Sequence, residues 1–216
     1  MLRHLLGNDC FWKAVNDYIV TYTRKTVETD DFRRILEKHS GLNLTKFFDQ
    51  WIYSKGYPKL KGTFEYKLDG CFTQITLEQT QVNKSTNVSY FDFILDVEVT
   101  DTAGKIHTSQ IEFKGENIKA CCVIPMNTKP VMVRINPENK VLVSIDMNPG
   151  EDILLNTAKD AKDIANRVWA FRELVKGATP SALRKVREAI ASEPHYGVRV
   201  KGASRDTHYS PNAKNS

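Results

Sequence analysis

The hydrophobic pattern changes its period twice along the 216-residue chain, and this double change constrains the fold more than any other feature of the sequence. Residues 1–57 and the residues after about 149 repeat apolar side chains every three to four positions, which is typical of amphipathic helices. Residues 58–148 alternate apolar and polar side chains, which is typical of strands with one face in water. The sequence therefore predicts a multidomain α+β protein in the order helices, strands, helices.

Two helices of ordinary length are predicted near the start. The first follows Asn8 or Asp9, either of which suits an N-cap, and its apolar face consists of Phe11, Ala14, Val15, Tyr18, Ile19 and Tyr22. The second has Thr29 as its N-cap and ends at Gly41, with Asp30 and Asp31 placed in the first turn, where the helix dipole favours anions.

A third helical segment carries an unusually aromatic face. Asn43 is predicted to cap it, Gly56-Tyr57-Pro58 ends it, and the face between them consists of Leu44, Phe47, Phe48, Trp51 and Ile52. Because such a face needs a large partner surface, we expect this chain to leave it uncovered.

Seven strands are predicted, near residues 61–68, 71–80, 90–100, 105–114, 118–124, 130–135 and 140–146. Turn signals separate several of them, namely Asp69-Gly70, Ala103-Gly104 and Asn136 to Asn139. In the clearest strand, every second residue from Phe91 to Val99 is apolar, and Ile94 is the exception among the residues between them. Short strands at this spacing predict a seven-stranded β-sandwich, which we expect to be independently stable.

The C-terminal third is predicted to form helices and a tail. A helix over 151–176 is stopped by Gly177, and Thr179-Pro180 starts another that carries Leu183, Val186 and Ile190. Two antiparallel helices of this kind are typical of the start of a helical repeat. Residues 203–216 lack periodicity and are expected to be disordered.

Composition excludes several classes of function. The net charge is +5, but Lys and Arg are interleaved with Asp and Glu, which argues against nucleic-acid binding. No apolar run approaches the roughly 20 residues of a membrane span, so no membrane contact is expected. Because the four cysteines show no C-x-x-C spacing, free thiols are the favoured interpretation.

Few residues invite a catalytic interpretation. His39, near the end of its helix, is suited to the helix dipole as well as to proton transfer. Asp30 and Asp31 point about 100° apart on a helix, which favours first-turn charges over an acid–base pair. Neither Ser181 nor Ser192 lies in a G-x-S-x-G context. We therefore predict no catalytic, cofactor-binding or metal-binding residue in this chain.

Local motifs nevertheless resemble a known family. Met1 to Gly7, followed by Phe11, is similar to the segment after the catalytic tyrosine of the aminopeptidase N family. Thr29-x-Asp31-Phe32 and then Ser40-Gly41-x-x-Leu44-x-x-Phe47-Phe48-x-x-Trp51-Ile52-x-x-x-Gly56-Tyr57-Pro58 resemble the end of that family's thermolysin-like domain. Pro130 to Asn156 is similar to the passage from its last sandwich strand into its helical domain, and Glu193-Pro194-x-x-x-Val198-Arg199 to a HEAT-type repeat junction.

The resemblance covers about residues 1–202 and implies a division into domains. Residues 1–57 would be the C-terminal helices of a thermolysin-like peptidase domain, 58–148 a β-sandwich, 149–202 the start of a HEAT-like helical domain, and 203–216 a disordered tail. The family is one of zinc-dependent enzymes that remove N-terminal residues from peptides.

The family's zinc motif is absent from the sequence. It requires H-E-x-x-H on one helix and a more distant Glu, whereas no two of the five histidines lie four residues apart. The resemblance thus implies a non-catalytic C-terminal fragment that binds no zinc itself. Its partner would be the missing N-terminal catalytic half, expected upstream of Met1, and the parent would act on peptide substrates.

Two alternatives remain open at this stage. One is a catalytically dead aminopeptidase-like scaffold that binds proteins, and the other is a free-standing binding module. A cytoplasmic location is expected, because the chain shows no export signal.

Overall fold

The computed structural model describes residues 1–83, 85, 88–176 and 180–203, which form an α+β structure in the predicted order. The first helices are α1 (Leu2–Leu6), α2 (Asn8–Tyr22), α3 (Thr29–Ser40) and α4 (Thr45–Phe48), the last continued by a π-helical turn, Asp49–Tyr53. The strands are β1 (Lys59–Lys67), β2 (Phe72–Gln79), β3 (Phe93–Thr100), β4 (Ile106–Phe113), β5 (Lys119–Pro125), β6 (Met132–Ile135) and β7 (Ser144–Asp146). The last helices are α5 (Glu151–Asp160), α6 (Ile164–Lys176), α7 (Pro180–Ser192) and α8 (Tyr196–Ala203).

Helices α2 and α3 enclose a small hydrophobic core together with α4; its buried members are Ala14, Ile35, Leu36, Leu44 and Phe48. The expectation that the aromatic face beginning at Leu44 lacks cover was wrong, because α3 and the strands cover it from two sides. Leu44 and Phe48 are buried in the helical core, while the Trp51 ring packs 5.0 Å from the ring of Phe91. Ile52 leaves that face and is exposed, as is Ile19 of α2, which was predicted to be buried.

The helix starts differ from the predicted caps by one residue. Gly7, with φ 80°, precedes α2, so that Asn8 and Asp9 lie inside the first turn rather than at the cap. For α3 the cap is Glu28 rather than Thr29, and Glu28 and Asp31 accept hydrogen bonds from each other's backbone N–H. This reciprocal capping box satisfies two backbone N–H donors at the start of α3.

The third segment is also displaced from its predicted start. Leu44 occupies the cap position of α4, although Asn43 still accepts a hydrogen bond from the Thr45 N–H at 3.0 Å. Gly41 ends α3 in the left-handed conformation, as predicted. Gly56, with φ 83°, lies beyond the π-helical turn and admits the reversal into β1.

The strands form two sheets, in the orders β5-β2-β1-β7 and β4-β3-β6. All strand pairs are antiparallel except β1 with β7, and the Asp69-Gly70 turn joins β1 to β2 as predicted. The inward residues of both sheets share one hydrophobic cluster, which includes Ile75, Leu77, Leu95, Val97 and Val133. Ile94 faces outward, so the alternation that predicted β3 is confirmed.

The free edge of β6 is paired with side chains of the following helices instead of with another strand. Ile135 donates its N–H to Asn166 Oδ1 at 3.0 Å, and its carbonyl accepts from Asn166 Nδ2 at 3.1 Å. Two residues earlier, the Val133 N–H and carbonyl both bond Thr157 Oγ1, at 3.4 and 3.2 Å. The helices are thereby joined to the sheet through its backbone.

The helix expected over 151–176 is two helices. Ala161 adopts an extended conformation at the end of α5, and Asp163 then accepts a hydrogen bond from the Asn166 N–H at the start of α6. This break lets α5 and α6 fold back on each other and share a core with α7 and α8. Val186 is buried in that core as predicted, whereas Gly177, Thr179 and the tail beyond 203 lie outside the described residues.

Candidate functional site

The histidines of the described chain lie in separate parts of the fold. His4 is on α1, His39 near the end of α3, His107 on β4 and His195 between α7 and α8. Neither of the two that contact aspartates is part of a larger cluster: His39 Nε2 lies 2.8 Å from Asp17 Oδ2, and His107 Nε2 lies 3.0 Å from Asp101 Oδ2.

These contacts stabilise ionised carboxylates. The hydrogen bond from His39, followed by that from Lys38, lowers the pKa of Asp17 to about 2. The pKa of Asp101 is lowered by its hydrogen bond with His107 and then by backbone N–H groups of its own turn. Both arrangements tie an acid to a neighbouring element, which is the pattern of structural ion pairs.

A zinc ion does not fit the residues that the structure describes. Across residues 1–83, 85, 88–176 and 180–203, no three His, Cys, Asp or Glu side chains are grouped closely enough to hold a metal ion. Cys121 is exposed and Cys122 is buried on the same strand, because adjacent side chains of a strand point to opposite faces. No catalytic step through a metal is therefore assigned to this chain.

Asp30 and Asp31 act as first-turn charges of α3, as predicted. Asp30 accepts a hydrogen bond from Arg33 at 3.2 Å, and Asp31 completes the capping box with the backbone of Glu28 at 2.9 Å. Ser192 likewise donates to helix carbonyls, so its hydroxyl is not poised as a nucleophile.

The junction between the N-terminal helices and the sheets is built on a backbone clamp. Gln50 Nε2 donates to the Asp92 carbonyl at 2.8 Å, and the Asp92 N–H donates to Gln50 Oε1 at 2.7 Å. Lys46 adds an ion pair to the Asp92 carboxylate at 2.5 Å. A groove of about 430 Å³ opens beside this clamp, with Trp51, Phe93 and Phe113 in its apolar floor.

A larger cleft, about 610 Å³ in volume, lies between the β7 side of the first sheet and helix α6. Four basic side chains are among its lining residues: Lys59, Lys61, Arg172 and Lys176. Lys176 is held by Glu173, at 2.7 Å, and by Asp146, at 3.4 Å. Burial raises the pKa of the Glu173 carboxyl, and the bond from Lys176 partly offsets that effect.

The outer side of α2 exposes large apolar side chains. Trp12, Ile19 and Val20 are 51%, 59% and 68% exposed, respectively. They lie on the part of the helix turned away from α3, because Ala14 faces the shared core. A helix with apolar residues on both sides is typical of an element that has a further packing partner.

Sequence reasoning missed the clamp and the side chains that bond β6. Gln50 and Asn166 are ordinary polar residues in helical segments, and their partners lie 42 and 31 residues away. No local pattern identifies such a pairing. In the described part of the chain, no helix is both long and apolar enough to cross a membrane.

Comparison with known proteins points to one group of enzymes, although no protein-family model matches the sequence. Glutamyl aminopeptidase of Bitis rhinoceros is 24% identical over 154 residues, which is 69% of this chain and 15% of that protein. Aminopeptidase M1-B of Oryza sativa subsp. japonica is 35% identical over 81 residues, which is 38% of this chain and 9% of that protein.

The crystal structure of Legionella pneumophila aminopeptidase A in complex with aspartic acid matches the fold with a TM-score of 0.67 at 15% identity. The match covers 94% of this chain and 24% of that one. The resemblance to aminopeptidases that the motifs indicated is thus confirmed. The chain spans only a small part of the relatives it matches, 15% and 9% of their lengths.

Proposed function

We propose that this chain, a relative of the aminopeptidase N family, is the non-catalytic part of a zinc aminopeptidase that closes the peptidase domain and connects it to a helical domain. The observation that supports this most is the fold match to aminopeptidase A, which runs through 94% of the chain. Activity on the N-termini of peptides belongs, in this proposal, to the whole enzyme.

The proposal divides the chain as its hydrophobic cores divide it. Residues 1–57 contain one cluster and would be the last helices of a thermolysin-like domain. Residues 58–148 contain most of the second cluster and would form the β-sandwich, and 149–202 contain the third and would begin the HEAT-like domain. Trp51 of the first unit and Trp169 of the third pack against the second cluster, so the three units are in contact.

The reaction itself is assigned to residues outside this chain. The sequence has no H-E-x-x-H, and its described acids and histidines fit no metal, so zinc and the catalytic carboxylate would come from a separate peptidase half. The exposed outer side of α2, with Trp12 and Ile19, is the surface that we assign to contact with that half.

We expect the isolated 216-residue chain to contain no stoichiometric zinc and to hydrolyse no aminoacyl-anilide. Metal content after dialysis against a mild chelator, measured by mass spectrometry, and a chelator-sensitive rate assay test this. Zinc at one equivalent with chelator-sensitive turnover would contradict the assignment of the chain as non-catalytic.

A chimera tests the positive part of the proposal. Residues 1–203 replace the structurally corresponding region of Legionella pneumophila aminopeptidase A, and we expect a folded enzyme that retains chelator-sensitive activity. The same chimera with Trp12→Asp and Ile19→Asp should lose activity, because two carboxylates would be buried unpaired at the domain contact. A matched control, Leu68→Asp with Leu142→Asp, changes two exposed apolar residues within residues 58–148 and should retain activity. A folded but inactive wild-type chimera, or equal activity in both double variants, would overturn the proposal.

A further inference from the structure

The α6 side of the cleft is elongated. One wall is a single face of α6, since Ala165, Trp169, Arg172 and Lys176 follow one another at spacings of four, three and four residues. At 1.5 Å per residue this face is about 16 Å long. Such a length accommodates about five residues of extended peptide at roughly 3.3 Å each.

The opposite wall is the edge of a sheet. β7 is the last strand in its order and pairs with β1 along one side. Four consecutive residues from Val143 to Asp146 line the cleft. Because β7 ends its sheet order, its second backbone edge has no strand partner among the described residues. Edge N–H and C=O groups are what an added strand pairs with.

The charged side chains that line the cleft are mostly basic. Lys59 and Lys61 lie on the outer face of β1 beside Ser144 and Asp146, while Arg172 and Lys176 come from α6. Asp146 is the one acidic residue among the described residues that line the cleft. Lys61 has no ion-pair partner within the described chain, and Lys59 lies over the Tyr57 ring at 5.9 Å.

A hydrogen-bond donor at the same wall lacks an acceptor. Trp169 lines the cleft, and its indole N–H is buried without a hydrogen-bond partner among the described residues. An unmade hydrogen bond of this kind costs free energy that an acceptor on a ligand recovers. An indole N–H can only donate, so the missing group is an acceptor such as a carbonyl or carboxylate oxygen.

We propose that the cleft binds an extended acidic peptide segment, which adds as a strand to the free edge of β7 and places its carboxylates against Lys59, Lys61 and Arg172. Backbone pairing supplies the affinity that does not depend on sequence, and the basic walls supply the preference for Asp and Glu. The proposal does not depend on the aminopeptidase assignment, because it is tested on this chain alone.

The experiment uses the 216-residue chain and a fluorescein-labelled hexapeptide of alternating Glu and Val, followed by fluorescence anisotropy at low salt. We expect saturable binding that weakens as salt is raised. A peptide with Lys in place of Glu should bind at least tenfold more weakly. The Glu peptide with N-methyl groups on alternate amides should also bind at least tenfold more weakly, because it cannot donate the backbone hydrogen bonds of an added strand.

Charge-reversal variants locate the site. Lys61→Glu with Arg172→Glu should weaken binding of the Glu peptide at least tenfold, and Lys61→Glu alone should weaken it severalfold even if the Arg172 change disturbs folding. The matched control, Lys13→Glu with Lys129→Glu, makes the same change in net charge at exposed positions away from the cleft and should bind normally. In an NMR titration the indole N–H signal assigned by Trp169→Phe should shift.

Three results would overturn the proposal. Equal binding of the N-methylated peptide would show that no strand is added. Binding of citrate or phosphate as tight as that of the peptide would show a small-anion site instead. Equal binding by the cleft variant and the control variant would place the peptide elsewhere on the surface.

Discussion

At the scale of single residues, polar side chains form stabilising hydrogen bonds with partners that are distant in sequence. Asp17 on α2 receives Lys38 and His39 from α3, at 2.9 and 2.8 Å. These bonds lower the pKa of Asp17 from 3.8 to about 2. Because the folded-state pKa is depressed, the stabilisation is complete only well above pH 3.8, shrinks as the pH falls past that value and is lost as it falls through about 2.

Asp17→Asn should therefore lower the melting temperature at neutral pH and lose this effect in acid. We expect the difference between the wild-type and variant melting temperatures to be constant above about pH 5 and to shrink between pH 4 and pH 2. Thermal unfolding followed by circular dichroism across that range tests it. Asp49→Asn, at an exposed position, is the control and should show a small and pH-independent difference. A difference for Asp17→Asn that grows in acid would contradict the sign of the pKa shift.

Gln50 is the second residue whose role depends on distant geometry. Gln50→Ala leaves the N–H and the carbonyl of Asp92 without their partners, and we expect a loss of about 1–3 kcal/mol in the free energy of unfolding. Gln50→Glu keeps the acceptor for the Asp92 N–H and loses the donor to the Asp92 carbonyl. Its cost should lie between zero and that of Gln50→Ala, and it should exceed that of Gln50→Ala if the Asp92 carbonyl repels the new charge. Gln74→Ala is the matched control, since that amide bonds only the Thr76 hydroxyl in the described chain. Urea unfolding measures all three, and equal costs for Gln50→Ala and Gln74→Ala would show that the clamp is not stabilising.

At the scale of elements, periodicity identified most strands and helices, whereas their ends and breaks followed from contacts that the sequence does not reveal. β3 was predictable because every second residue, from Phe91 to Val99, faces one core. The break at Ala161 was not, because the apolar spacing continues through it and the cause is the Asp163 cap together with the pairing of α5 against α6. The cleft beside α6 could not be predicted either, since its walls come from residues near 60, 145 and 170.

The hydrogen bonds between the Asn166 side chain and the free edge of β6 lead to a prediction about that strand. Asn166 is buried and satisfies both backbone groups of Ile135, so Asn166→Ala should cost about 1–3 kcal/mol for each group left unpaired. Asn156→Ala, which removes one bond to the Val131 carbonyl from a partly buried position, should cost less. Chemical unfolding gives the free energies, and hydrogen exchange of the Ile135 amide shows whether the edge itself opens. Unchanged exchange at Ile135 in the Asn166 variant would mean that another group protects that edge.

At the scale of the whole molecule, the three hydrophobic cores are joined rather than merely adjacent. Ile153 of α5 is buried in the core of the sheets, and Trp169 of α6 also packs against that core. Arg134 of β6 is buried and bonds both Glu98 on β3 and Asp163 before α6. A buried arginine with two carboxylate partners is costly to separate from either of them. The C-terminal helices therefore complete the hydrophobic core of residues 58–148.

These contacts lead us to expect, against the interpretation from sequence alone, that residues 58–148 are not an independently stable unit. Removing α5 and α6 would leave the backbone groups of Val133 and Ile135 unpaired along an open strand edge and would expose the surface that Ile153 covers. Open edges of this kind promote association between chains. We expect 58–148 to unfold at a lower temperature than 58–203 and to form larger species at micromolar concentration, whereas 58–203 should unfold cooperatively as a monomer. Size-exclusion chromatography with light scattering and thermal unfolding compare the two.

Arg134→Ala in 58–203 should shift the unfolding temperature and the size distribution part of the way toward those of 58–148, because Glu98 and Asp163 then lose their shared partner. If 58–148 proves monomeric and equally stable, the helices are an attached domain and the hydrogen bonds to β6 contribute nothing that water cannot replace.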